Sequence, residues 1–293
     1  MKKKYQAAFF SIVLAGILLT GCTGKKALWG GPDTGYILTY RLASDQMLNY
    51  HSSMEQNTSM EIMGNSMNTE NRSTMNYTIT GKGSDNADNL LLEIKVDSMT
   101  VINTGPQGSQ TLDTKSLTSK SFGLSVSSLG KEGDYTGTDS LYLDLTAMGG
   151  GRQTIDTFFR NPFPDLPERP VKVGEKWKSD DSRTENQGGM EIGIKSHSVS
   201  TLTGFETVNG LDCAKILVET TGTLDGAGQQ MGMDLTFEGD TESTTTWYFA
   251  YKKGVVIKAS SEIFMEATIA ASGAQNMTIP MTQEANSELH LIQ

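Results

Sequence analysis

Three histidines, two cysteines and fifteen methionines are the residues of this 293-residue chain best equipped to hold a metal or attack a substrate. His51, His197 and His290 are far apart in sequence, and none forms the H-E-x-x-H spacing that sets two imidazoles on one face. No G-x-S-x-G elbow and no phosphate-binding G-x-x-x-x-G-K-[ST] loop occurs. Ser128-Leu129-Gly130-Lys131 fits S-x-x-K, but the S-D-N and K-T-G elements that would complete a nucleophilic serine site are missing. Asp180-Asp181 are adjacent carboxylates, a spacing that does not report separation across a sheet. Asp85, Asp88 and Asp225 sit in Gly/Asn-bearing loops without the ligand spacing of a calcium loop, and Asx turns account for them. No residue is therefore assigned a catalytic role, and no metal or cofactor is expected.

Methionine is the unusual feature. Met47, Met54, Met60, Met63, Met67, Met75 and Met99 crowd the first half; Met190, Met231, Met233, Met265, Met277 and Met281 populate the second. Thioethers bind soft Cu(I), and Met231-x-Met233 sets two on one strand face, but no His or Cys stands near in sequence. Flexible thioethers fill cores, and they also line apolar surfaces that adapt to variable ligands. Met54, Met60, Met75, Met231 and Met233 are the candidates for such an apolar ligand site. Cys213 alternates with Leu211, Lys215 and Leu217 and reads as a buried small hydrophobe, with an inter-chain disulfide as the alternative.

The other thiol carries an address. Lys2, Lys3 and Lys4 precede the uncharged stretch Ala7–Leu19, which suits a signal h-region and falls short of the ~20 residues that cross a bilayer. It ends in Leu19-Thr20-Gly21-Cys22, which resembles the lipobox of bacterial lipoproteins. The resemblance implies cleavage after residue 21, acylation of Cys22 and stable membrane anchoring by several chains. Thr23 is not the Asp of an inner-membrane retention signal, so a cell with two membranes would carry the protein in its outer one. Residues 22–35 form the lipidated tether, in which Gly30-Gly31-Pro32 precludes regular structure.

Charge limits the partners. Formal net charge is −10 and the pI about 4.8, which excludes nucleic acid as the main partner. Residues 1–21 hold three lysines and no acid, so their removal makes the chain more acidic still. Anionic headgroups then cannot hold the body flat on a membrane, and anchoring falls to the lipid. Hydrophobic residues make up 37%, enough for a packed core.

The elements that must position these side chains have period two. Residues Tyr50, Ser52, Met54, Gln56, Thr58, Met60 and Ile62 line one face, and Gly64-Asn65 then predicts a tight turn. A returning strand carries Met67, Met75, Tyr77 and Ile79, and a polar turn at residues 84–89 leads into Leu90–Val101. Phe122–Leu129 and Ser140–Leu145 are shorter strands, and Arg152–Arg160 is the best helix, with Ile155, Phe158 and Phe159 on one side. Four of the seven prolines follow within residues 161–170, which excludes helix or central strand there. Beyond it, strands run at 191–205, 213–223, 231–237, 244–251, 255–270, 277–283 and 289–292, with turns at Asn209-Gly210, Lys252-Lys253-Gly254 and Ser272-Gly273-Ala274 and a Gly-rich loop at 224–230. The expected fold is mainly β: curved, half-barrel-like antiparallel sheets in two sequential halves, 36–150 and 171–293, joined by a short helix and Pro-rich crossover at 151–170.

Phe158-Phe159-x-Asn161-Pro162-Phe163-Pro164-x-Leu166-Pro167, with Val171-x-Val173-Gly174-Glu175-x-Trp177, resembles a block shared by a family of bacterial envelope lipoproteins. Gly204-Phe205-Glu206-x-Val208-Asn209-Gly210 resembles a strand–turn block of the same family and is also similar, more distantly, to periplasmic lipoprotein-carrier proteins. That second resemblance implies a curved half-barrel sheet that holds acyl chains. Together they imply a non-enzymatic envelope lipoprotein, membrane-anchored through Cys22, that binds an apolar ligand such as a lipid or lipidated partner. The alternatives are a lipoprotein that docks other envelope proteins through its strand edges and, less favoured, an enzyme.

Overall fold

The computed structural model describes residues 29–145, 151–160, 162–187, 190–230, 233–273 and 276–292; Cys22 and Met231 lie outside them. Two small hairpin strands, β1 (Gly30–Gly31) and β2 (Gly35–Tyr36), come first. The first long strands are β3 (Met47–Ile62), β4 (Asn65–Ser84) and β5 (Leu90–Gly105). Short strands follow: β6 (Gly108–Thr111), β7 (Ser121–Val126), β8 (Glu132–Thr136), β9 (Tyr142–Asp144) and β10 (Arg152–Thr154). The second long series is β11 (Lys176–Gln187), β12 (Met190–Val208), β13 (Leu211–Gln230), β14 (Met233–Ala250), β15 (Val255–Ser272) and β16 (Met277–Ile292). The 20 residues of β4 and of β13 each span roughly 65 Å.

One antiparallel sheet holds the long strands in the order β11-β12-β13-β14-β15-β16-β3-β4-β5-β7-β8, with β6 beside β5. The chain therefore enters in the middle at β3 and builds outward to the β8 edge. It then crosses to the β11 edge and meanders back until β16 pairs with β3, from Met281↔Met60 to Ile292↔Asn49. The two expected halves are thus two arms of one continuous sheet. β8 and β11 do not pair with each other, so it stays open rather than closing into a barrel.

Curvature follows from the backbone. Adjacent strands lie ~4.8 Å apart, so second neighbours in a flat sheet would be separated by about twice that. Here β12 and β14 approach within 8 Å across β13. The expected loop at 224–230 is instead the end of β13, and its glycines make the bend. A Cβ on Gly226 would stand 2.9 Å from the Glu191 carbonyl oxygen, and one on Gly239 of β14 would stand 2.7 Å from Cβ of Ala267. Side chains on one face of the long strands are consistently half-buried or buried, while those between them face solvent. The shielded face is the inner, concave one.

The base of the concavity is covered by the crossover. Arg152–Thr154 pairs with Tyr142–Asp144, so the expected helix shrinks to a single 3-10 turn, Ile155–Phe159. Phe159 enters between Tyr77 and Phe122, with ring centroids 5.0 and 5.1 Å away. The prolines then lay the chain across the base. Tyr40 Oη donates to the Pro164 carbonyl at 3.0 Å, and Trp177 Nε1 donates to that of Asp165 at 2.8 Å. Beneath them Leu38, Leu166, Val171, Leu202, Ile216 and Phe249 form one core cluster, and Tyr77, Ile94, Leu124, Leu143 and Ile155 belong to the other.

Turns show how local chemistry sets register. Asn209-Gly210 closes its hairpin with φ of 52° and 75°, as its sequence predicts. The β3–β4 turn sits one residue earlier than expected, at Met63-Gly64 with φ of 52° and 77°, leaving Asn65 paired to Ile62. The Gly30-Gly31-Pro32 stretch, expected to lack regular structure, instead pairs Gly30 with Tyr36 and Gly31 with Gly35. Glycine permits this: a Cβ on Gly30 would lie 1.9 Å from the Gly35 carbonyl oxygen.

Candidate functional site: an uncharged trough

Register places the methionines. Pairing of β3 with β4 and β16, and of β4 with β5, sets Met54 opposite Ser73 and Ser287, Met60 opposite Met67 and Met281, and Met75 opposite Ser52 and Met99. All project from the inner face; Met54 and Met60 are half-buried, whereas Met75 is part of the base core. Met233 is also on the inner face, at the far end of β14 opposite Gln230, well removed from the first three. Met231 falls outside the described residues. Four of the five candidates thus share a face, but only Met54, Met60 and Met75 share a neighbourhood.

The same parity reaches further. Met67, Met99, Met190, Met265, Met277 and Met281 share that face, so ten methionines line it. Met47 and Met63 do not, and they are 61% and 71% exposed. Period two alone could have found the additional six within each strand. Joining them across strands needed the pairing order and the bulges at Asn76/Tyr77 and Tyr248/Phe249.

Beyond the covered base the trough has two bands. The first is polar but uncharged. One of its rows runs Asn103, Asn71, Gln56, Ala285, Ile263, Ser243, Thr220, Ser198 across eight strands. The second, distal band is apolar: Met67, Met60, Met281, Ala267, Gly239, Leu224 and Ile194 form a row across seven. Ile192 and Phe237, farther out, and Met265, one row nearer the base, join a buried cluster with Ala267. No side chain of β3–β5 or β12–β16 on these two bands is charged. The charges stand on the outer face, where Glu238 opposes Asp225 and Asp240 opposes Glu266.

Among the described residues, charge returns to the inner face at the sheet's two edges, at Glu132 of β8, which accepts from Tyr135 at 2.8 Å, and on edge strand β11. There Arg183 donates to Asp181 at 2.9 Å and to Glu185 at 2.8 Å. Burial works against its charge, but the two carboxylates hold the Arg183 guanidinium above its ordinary range. With two carboxylates on one guanidinium the set keeps a net negative charge and offers the trough no free cation.

The other chemical candidates are occupied or dispersed. His51 and His290 meet as a cross-strand pair on the outer face; the first bonds Asn76 at 2.8 Å and the second Glu288 at 3.0 Å. His197 bonds Asp180 at 2.7 Å, so one of the adjacent carboxylates is engaged and the other holds Arg183. Asp85 accepts from the amides of Ala87 and Asn89, an Asx turn. Cys213 is buried, and that burial pushes its thiol up, away from the reactive thiolate. Among the described residues no group of three or more His, Cys, Asp and Glu could hold a metal ion, and no helix is long and apolar enough to cross a membrane.

No protein-family model and no curated protein matches the chain. Solved structures offer distant likenesses. The COG4313 outer membrane channel from Pseudomonas putida is 7% identical over 86% of this chain and 97% of its own, with a TM-score of 0.21. A DUF1329 family protein from Desulfovibrio piger is 8% identical over 82% of this chain and 85% of its own, with a TM-score of 0.16. Scores at that level carry no argument, and the functional reading rests on the chain's own residues.

Proposed function

We propose that the protein is a non-enzymatic bacterial envelope lipoprotein, held to a membrane by acylated Cys22, whose trough binds or carries an amphiphile with an apolar chain. The observation that carries the reading is the segregation of charge. Eight strands, β3–β5 and β12–β16, present an uncharged, methionine-lined inner face while their acids turn outward. Water-exposed sheet faces ordinarily carry charge, and a large apolar surface left open marks a binding site. Docking through strand edges is the weaker reading, because edge strand β11 carries Lys176, Lys178, Asp180, Asp181, Arg183 and Glu185, the charges that blunt edge pairing.

The test is mass spectrometry on the full chain purified from its own membranes. Organic extraction is expected to release a stoichiometric lipid, and the N-terminal peptide to begin at an acylated Cys22. An unmodified Cys22 overturns the anchor. No extractable lipid, together with no saturable uptake from vesicles, overturns the trough.

A further inference from the structure

Resting on that reading, we infer that the trough's ligand has an uncharged head bearing hydroxyl or amide groups, as in a glycosyl diacylglycerol, and that this head seats in the band formed by Asn71, Asn103, Gln283, Ser73, Ser243 and Ser287.

Two observations carry this. The first is that, among the described residues, no cationic side chain stands on the two bands of β3–β5 and β12–β16; Arg41, whose Nη1 is buried without a hydrogen-bond partner, lies instead at the covered base. A carboxylate or phosphate drawn into a half-buried, low-dielectric groove loses hydration worth several kcal/mol and needs a positive partner to recover it. Arg183 is already spent on Asp181 and Glu185. A cationic head is equally unmatched, because no carboxylate stands on the two bands outside that strand.

The second is the state of the polar side chains. Some polar side chains of the band bond one another: Gln56 to Thr58, Ser198 to Thr220 and Thr245 to Ser261. The six named for the seat are half-buried and, among the described residues, make no side-chain hydrogen bond. They come from β4, β5, β14 and β16 and present both donors and acceptors, the array that matches hydroxyl and amide groups rather than an ion. Three pairing rows, Met54, Gln56 and Thr58 with their partners, make the band about 13 Å deep at ~3.3 Å per residue. The apolar band lies beyond it, so the head points toward the covered base and the chain toward the open end.

The full chain is offered phosphatidylcholine vesicles containing a pyrene-labelled lipid, either a monoglycosyl diacylglycerol or phosphatidylglycerol with the same acyl chains. Label recovered with the protein is expected to favour the glycosyl lipid by about tenfold or more, the ratio that an unpaired charge costing ~1.4 kcal/mol or more imposes. Equal recovery, or preference for phosphatidylglycerol, overturns the head assignment and leaves the trough standing. Recovery of neither overturns both. Gln56→Lys and, separately, Asn71→Lys are expected to shift the ratio toward phosphatidylglycerol, with folding checked by circular dichroism. A folded variant with an unchanged ratio shows that the head seats elsewhere. Headgroup analysis of lipid extracted from the unmutated protein tests the same assignment without a variant.

Discussion

Single atoms decide whether the sheet bends. Gly226 and Gly239 lie on the inner face at the sharpest part of the curve, where a Cβ would meet backbone or Cβ atoms that cannot swing away. Gly239→Val is expected to destabilise by about 1–3 kcal/mol, as overpacking does, in urea unfolding. Gly204→Ala is the control, since nothing lies within 4 Å of its added Cβ, and it should change little. A second residue-scale consequence concerns acid. Burial disfavours the Asp97 carboxylate, yet hydrogen bonds from Lys95 and Thr78 prevail and hold it below the ordinary carboxylate range. A depressed carboxylate contributes stability above its unfolded pKa, near 4, and loses it as pH falls through the lower folded value. Asp97→Asn should therefore cost up to about 1 kcal/mol at pH 7, limited by solvent screening, and the gap to the unmutated protein should narrow below about pH 4. Chemical denaturation at a series of pH values reads this; a gap that widens in acid contradicts it.

At the scale of elements, the crossover is the clamp that keeps the base shut. Phe159, 2% exposed, is the side chain through which the 3-10 turn grips both Tyr77 and Phe122. Phe159→Ala should cost about 3–5 kcal/mol in equilibrium unfolding, the range for a buried aromatic, whereas the half-exposed Phe158→Ala should cost less. Much of this layer was legible beforehand. Prolines exclude regular structure, Gly174 turns the chain with φ of 89°, and Trp177 finds a carbonyl for its indole N–H. The helix over 152–160 was overread, because apolar spacing cannot report that residues 152–154 will pair with 142–144. The loop over 224–230 was misread for a related reason. Glycines in sequence signal a break, but here they serve curvature, a property that exists only once β12 and β14 flank them. Strand alternation was the most legible signal. It placed Met54 and Met60 on one face, but it could not report that β16 returns to β3 and sets Met281 beside Met60.

The whole molecule is a shell with a neutral lining and an acidic exterior, and its methionines are a built-in reporter of what the lining touches. Met54, Met60, Met67 and Met281 face the trough, while Met47 and Met63 stand in solvent. In a peroxide footprint read by peptide mass spectrometry, vesicle-loaded protein should oxidise the first four several-fold more slowly than lipid-free protein. Met47 and Met63 should oxidise at the same rate in both. Uniform protection of all six would mean that the molecule is merely adsorbed on a surface, and protection of none would leave the trough unfilled.

The seam between β16 and β3 also governs the order in which the molecule can be finished. β3 precedes the other long strands, yet one side of it stays unpaired until β16, Met277–Ile292, arrives. Contacts spanning more than 200 residues make such closure slow. Until then two long strand edges, those of β3 and β15, remain open to any other chain. A product lacking Met277–Ile292 would not be a slightly smaller shell; it would be two sheets with an adhesive margin each. Docking of β16 is thus itself the step that renders the sheet safe from self-association.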